Sequence, residues 1–169
     1  MTSPETSLGP KPPLEIERKF RVNVAPETLR LDGLKREPIR QGYIVVGADG
    51  SETRVRDRAG IYTLTCKSAG GLSRTEYEIG LSKEQFDGLW PATDGKRVEK
   101  TRYSIPSGES IIELDVYGGA LSGLVIAEME FPDESAALAF EPPEWLEAEV
   151  THNPAYKNQQ LAINGLPEN

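Results

Sequence analysis

Two carboxylates spaced two residues apart recur along this chain, among them Glu15-Ile16-Glu17, Glu76-Tyr77-Glu78, Glu113-Leu114-Asp115 and Glu128-Met129-Glu130. Two bases take the same spacing in Arg54-Val55-Arg56 and Lys100-Thr101-Arg102, and Lys19 extends the first acidic pair. Apolar or β-branched residues fill most intervening positions, so these segments read as strands, in which residues i and i+2 share a face. Carboxylate oxygens are the donors preferred by hard cations such as Mg2+ and Mn2+. Arginine forks and lysine point charges suit phosphate oxygens. A sheet that gathers both sets on one face is suited to metal-dependent phosphate chemistry.

The elements that must position these side chains are mostly strands. Alternation predicts strands over 14–22, 39–47, 51–58, 61–68, 74–80, 98–105, 110–117 and 123–131, and Gly-, Asp- and Pro-containing turns separate most of them. Eight strands on short connections predict a mainly β (α+β) fold built as an antiparallel sheet or barrel. Helices are few. Ser82 and Gln85 form a capping box ahead of Phe86, Leu89 and Trp90, and Pro91 ends that helix. Asp133 caps a second, with Ala137, Leu138 and Phe140 as its apolar contacts. A third runs from Pro154 to Ile163, ended by Gly165 and Pro167. Residues 1–13, rich in Pro, Ser, Thr and Gly, read as a disordered leader, and 14–169 as a single domain.

Bulk properties narrow the function. A net charge of −8 and a pI near 4.8 disfavour nonspecific binding to nucleic acid or anionic membranes. A single cysteine, Cys66, rules out an internal disulfide and fits a reducing cytoplasm. No stretch reaches the roughly 20 apolar residues that span a bilayer, and no secretory signal is visible. A wet sheet face explains one pair such as Glu76 and Glu78 as readily as a site does. The whole set is different, because like charges side by side cost free energy unless a counter-ion compensates. If the strands close, the face lines a tunnel whose walls require metals, a polyanion or internal ion pairs. Closure would also bring Glu15 and Glu17 of the first strand close to Glu128 and Glu130 of the last. There is no Walker-type loop, so helix-dipole phosphate binding is not the strategy. His152, the only histidine, falls in a late loop and reads as a surface or capping residue. Cys66 alternates to the apolar face and reads as a buried thiol, Trp90 and Trp145 read as packing residues, and Tyr43 is placed either in the core or at one end of the tunnel.

Glu15-Ile16-Glu17-Arg18-Lys19-Phe20 resembles the signature of CYTH-domain proteins, the triphosphate tunnel metalloenzymes. The similarity continues through Arg40-Gln41-Gly42-Tyr43, Thr65-Cys66-Lys67-Ser68, Arg74-Thr75-Glu76-Tyr77-Glu78 and Glu99-Lys100-Thr101-Arg102-Tyr103. It also takes in Glu113-Leu114-Asp115-Val116, Ala127-Glu128-Met129-Glu130-Phe131, and Glu149-Val150-Thr151 followed by Tyr156-Lys157-Asn158. It covers nearly all of 14–163 and is greatest with the short bacterial members that hydrolyse inorganic triphosphate; the 13-residue leader is extra to the pattern.

The resemblance implies an eight-stranded antiparallel β-barrel tunnel with a few helices packed outside. It implies metal ligation by Glu15, Glu17, Asp115, Glu128 and Glu130, with Mg2+ or Mn2+ as the ion. It implies substrate binding by Lys19, Arg54, Arg56, Lys67, Lys100 and Arg102, and catalytic roles for Lys19, Glu113 and Asp115. The activity it implies is hydrolysis of triphosphate to diphosphate and phosphate. An adenylate cyclase or thiamine triphosphatase of the same family, or a noncatalytic polyphosphate-binding module, are the alternatives. The expected partners are a small-molecule triphosphate and, in a homodimer, a second copy of the chain. Because the constellation contains no histidine, activity is expected to rise above neutral pH, with metal-bound water as nucleophile and a neutral Lys19 as one acceptor of its proton.

Overall fold

The structure, a computed structural model, describes residues 16–23, 25–69, 75–108 and 110–168. The predicted leader and Glu15 lie outside the described residues. All eight predicted strands are present: β1 (Ile16–Val22), β2 (Arg36–Val46), β3 (Glu52–Arg58), β4 (Ile61–Lys67), β5 (Glu76–Leu81), β6 (Arg97–Ser107), β7 (Ser110–Tyr117) and β8 (Val125–Phe131). A ninth, β9 (Leu146–Glu149), was not predicted.

The nine strands form one antiparallel sheet in the order β5-β4-β3-β2-β6-β7-β8-β1-β9. Two expectations are therefore corrected: the described residues form nine strands, not eight, and among them the sheet is not closed into a barrel. The physical reason lies at the edges. β9 pairs with β1 at Phe20 and Val22, so β1 is no longer an edge available to β5. Arg18 reinforces that pairing by donating to both oxygens of Glu149 at 3.0 and 2.7 Å and to the carbonyls of Ala137 and Phe140. The first and last predicted strands still meet, by direct β1–β8 pairing rather than by closure.

Three short helices complete the fold: α1 (Lys83–Leu89), α2 (Glu134–Ala139) and α3 (Asn158–Asn164). The predicted capping box forms at α1, where the Gln85 amide donates to Ser82 Oγ and the Ser82 amide donates to Gln85 Oε1. The fully buried ring of Phe86 docks α1 against Tyr62 and Trp90. The 3-10 turn after α1 presses Thr93 onto Gly42 so closely that a Cβ there would lie 2.4 Å from its hydroxyl, so only glycine fits. Asp133 caps α2 as expected. Ala137 and Phe140 pack on the core, but Leu138 points outward at 85% exposure, against the prediction. The last helix begins at Asn158, later than predicted, after a separate 3-10 turn over Pro154–Tyr156.

Two apolar clusters hold the sheet. One lies on the uncharged face of β1, β7 and β8, where Phe20, Leu114, Ala127 and Met129 meet Ala137 and Leu146. The other sits at one end of the charged face, where Val98, Tyr117 and Ile126 are covered by Tyr156 and by Leu161 of α3. The charged side chains thus lie between an apolar plug and the rest of the strand lengths. Among the described residues, no helix is long and apolar enough to cross a membrane.

Candidate triphosphate and metal site

Strand register puts the called residues on one face. Glu17 faces Glu130, Lys19 faces Glu128, and Glu128 faces Glu113. Arg102 faces Asp115, and Lys100 faces Tyr117. Across β2, Gln41 faces Arg56 and Tyr43 faces Arg54; beyond them Thr65 faces Arg54, Thr63 faces Arg56, and Lys67 faces Glu52 and Glu76. Glu17, Lys19, Arg54, Arg56, Lys67, Lys100, Arg102, Glu113, Asp115, Glu128 and Glu130 therefore share a single face. Glu15, the remaining predicted residue, lies outside the described residues.

Arg102 is the hub of this face. Its guanidinium donates to both oxygens of Asp115 at 2.7 Å, to Glu128 Oε2 at 2.7 Å, and to Glu113. Lys100 also donates to Asp115, which is fully buried. Lys19 Nζ lies 2.9 Å from Glu128 Oε1. These contacts move the ionisation equilibria. Burial alone would disfavour the Glu128 carboxylate, but Lys100, Lys19 and Arg102 outweigh it and hold its pKa down at about 2. Burial likewise opposes the Lys19 ammonium, yet Glu128, with Glu17 and Asp115, raises its pKa above the ordinary lysine value. Burial lowers the pKa of Lys100, against the pull of Asp115. In this arrangement Lys19 is held as a cation beside Glu128.

Two of the three arginines of β3 are placed differently, while Arg58 is held by Glu37 at 2.7 Å. Arg54 Nη1 is 3.6 Å from Glu52, and Arg56 Nη2 is 3.5 Å from Glu78, whose other bond comes from the Thr65 hydroxyl at 2.8 Å. Arg54 Nε and Thr63 Oγ1 are buried and have no hydrogen-bond partner among the described residues. Burial and then the neighbouring Arg54 charge lower the pKa of Arg56.

The donor set fits a hard divalent cation in type and in register. Glu113 and Glu128 are cross-strand neighbours, as are Glu17 and Glu130, and all offer oxygen alone. Among the described residues, no three acidic, His or Cys side chains stand together as a metal cage, because Glu113, Asp115 and Glu128 are turned onto the protein's own cations. Asp115 has both oxygens committed to Lys100 and Arg102, which gives it the geometry of an anchor.

Of the other expectations, His152 is exposed in its loop. Tyr43 is both core and face: it is 1% exposed and its hydroxyl accepts from Gln41 Nε2 at 2.7 Å. Cys66 does point away from the charged face, but it is exposed rather than buried. Sequence reasoning passed over Thr63 and Thr65. The signal was available, as Thr63-Leu64-Thr65-Cys66-Lys67 alternates in phase with Lys67.

Comparison with known proteins gives the family of the chain. The chain is 51% identical over 153 residues to an inorganic triphosphatase of Nitrosomonas europaea, spanning 89% of this chain and 97% of the relative. It is 37% identical over 155 residues to an inorganic triphosphatase of Acetivibrio thermocellus, spanning 89% and 94%. A solved inorganic triphosphatase structure superposes with a TM-score of 0.72 at 46% identity, covering 91% of this chain and 97% of that one. Residues 13–151 match the CYTH domain, and the chain belongs to the CYTH-domain family.

Proposed function

We propose that this chain hydrolyses inorganic triphosphate to diphosphate and phosphate at the charged face, with Mg2+ or Mn2+. The observation that supports this reading is the single register that brings acids of β1, β7 and β8 and bases of β1, β3, β4 and β6 onto one sheet face. The relatives described above carry the same named activity.

In this reading Glu17, Glu113, Glu128 and Glu130, joined by Glu15, hold the cation. When bound, it neutralises phosphate charge and lowers the pKa of water. The protein's own groups do the rest. Arg54, Arg56 and Lys67 receive the phosphate chain from one side, and Lys100 and Arg102 from the other. Their fixed donors stabilise charge that develops on the departing diphosphate. Asp115 orients Lys100 and Arg102. Lys19, held protonated beside Glu128, steadies a phosphoryl oxygen rather than taking a proton. The apolar plug at Val98, Tyr117 and Leu161 excludes water from one end of the face.

A phosphate-release panel tests this: triphosphate, ATP, thiamine triphosphate and longer polyphosphate, each with Mg2+ and Mn2+. The contacts are to phosphates, so triphosphate should show the highest kcat/KM. A tenfold preference for ATP would overturn the reading.

A further inference from the structure

We infer that Tyr117, fixed by Asn158 of α3, is a positioning residue for Lys100, holding its ammonium in place on the charged face without occupying any of its hydrogen-bond donors. The inference rests on the phosphate-binding role given to Lys100 above and adds the group that aims it. Lys100 faces Tyr117 directly across β6 and β7. Its Nζ lies 5.4 Å from the centroid of the tyrosine ring, inside the reach of a cation–π attraction. The lysine side chain is only 4% exposed, and such attraction is strongest where water is excluded. The tyrosine is itself held at both ends. Its amide donates to the Leu124 carbonyl at 3.1 Å, and its hydroxyl donates to Asn158 Oδ1 at 2.8 Å. Leu161, on the same helix as Asn158, is buried in the apolar plug, so the hydroxyl bond ties the ring to a docked element.

Lys100 needs such a partner. Its ammonium ends a flexible four-carbon stem, and ordering that stem costs entropy. Asp115 restrains it through one oxygen, Oδ2, which also accepts from Arg102 at 2.7 Å. A second carboxylate would take another of the three N–H donors and compete with phosphate oxygens for it. A ring face attracts the cation and takes none, so the donors not given to Asp115 remain for substrate. Packing alone accounts for a buried aromatic at 117, but it requires neither the hydroxyl bond to Asn158 nor an ammonium against the ring.

The test is steady-state hydrolysis of triphosphate with Mg2+ by the full chain, comparing wild type, Tyr117→Leu, Tyr117→Phe and Asn158→Ala, with Tyr117→Leu repeated in a Lys100→Met background. Leucine keeps apolar bulk and removes the ring; phenylalanine keeps the ring and removes its tie. Tyr117→Leu should lower kcat about five- to thirtyfold with KM within about twofold, because Lys100 acts on charge that develops in the transition state. Tyr117→Phe and Asn158→Ala should each lose about two- to fivefold, by similar factors. In the Lys100→Met background Tyr117→Leu should cost less than about twofold. An equal loss in both backgrounds, or a kcat for Tyr117→Leu within about twofold of wild type, would make Tyr117 a packing residue and overturn the proposal. Asn158 is half-buried, so Asn158→Ala carries the same comparison if Tyr117→Leu fails to fold. The contact is also read without turnover, from the Lys100 ε-methylene resonance in 13C-labelled protein, assigned by its loss in Lys100→Met. Ring-current shielding that is present in wild type and Tyr117→Phe, lost in Tyr117→Leu and reduced in Asn158→Ala supports positioning even where triphosphate is not hydrolysed. An unshielded resonance in wild type overturns positioning, and hydrolysis by the same protein leaves the enzyme reading standing.

Discussion

On β1, β6, β7 and β8 each cation of the charged face sits within hydrogen-bonding distance of a carboxylate, with Lys19 and Arg102 both on Glu128 and Lys100 and Arg102 both on Asp115. On β3, Arg54 and Arg56 stand 3.6 and 3.5 Å from theirs and Arg54 Nε is buried without a partner among the described residues, while Arg58, the third arginine of the strand, is held by Glu37 at 2.7 Å. The first region satisfies itself, as buried charges must when no ligand is present. In the proposed reading its carboxylates would take a metal only by sharing or leaving Arg102 and Lys19, and that movement would free the same cations for phosphate. In the proposed reading the second region would meet the phosphate chain without such an exchange. Metal and substrate binding should therefore be coupled through Arg102, and coupling of this kind is reciprocal.

The largest expected effect separates the two regions. Arg102→Gln should lower kcat/KM for triphosphate by about ten- to more than a hundredfold, the scale of one lost charge-assisted contact. It should also shrink the ratio of triphosphate affinities measured with and without Mg2+. Arg54→Gln should weaken both affinities together and leave that ratio nearly intact. Equal effects of the two substitutions on the ratio would erase the distinction.

A smaller effect concerns Lys19. Glu128 raises its pKa, so it keeps its proton throughout the neutral range and acts as a cation. Lys19→Arg should then retain activity within about tenfold, while Lys19→Met should lose about ten- to a hundredfold, the range of a lost hydrogen bond to a charged group. If both variants are equally inactive in pH-resolved steady-state assays, a proton-transfer role is restored.

The smallest effect is on stability. The Glu128 pKa of about 2 lies below its ordinary value of 4.5. A depressed carboxylate contributes stability that is present above the unfolded pKa and lost as pH falls through the folded one. Chemical denaturation should show stability falling between about pH 4.5 and pH 2, by about 1–3 kcal/mol less in Glu128→Gln. An identical acid dependence in both proteins would mean that the ion pairs of this region do not hold it together.

The sequence made the face legible because ionisable residues at i and i+2 can serve only one side of a strand. Eight strand positions followed from the same alternation. It was silent on closure, since a strand's own residues do not say which edge its neighbour takes. β9 was missed for that reason: Leu146-Glu147-Ala148-Glu149 is short and follows Pro142 and Pro143, and it is a strand only because the edge of β1 receives it. Cys66 and Leu138 show a related gap. The alternation gave the correct side for Cys66, but whether that side is covered depends on where α1 and α2 dock. The ion-pair hub was out of reach as well, because spacing assigns Arg102 and Asp115 to a face without saying that they bind each other.

The most direct test of the account is a 31P NMR time course of triphosphate with the wild-type chain and Mg2+, repeated with Glu128→Gln and with chelator. The account expects the triphosphate resonances to give way to equal amounts of diphosphate and phosphate in wild type, and to persist under the other two conditions. Unchanged triphosphate with the wild-type chain, or an undiminished rate with Glu128→Gln, would contradict it.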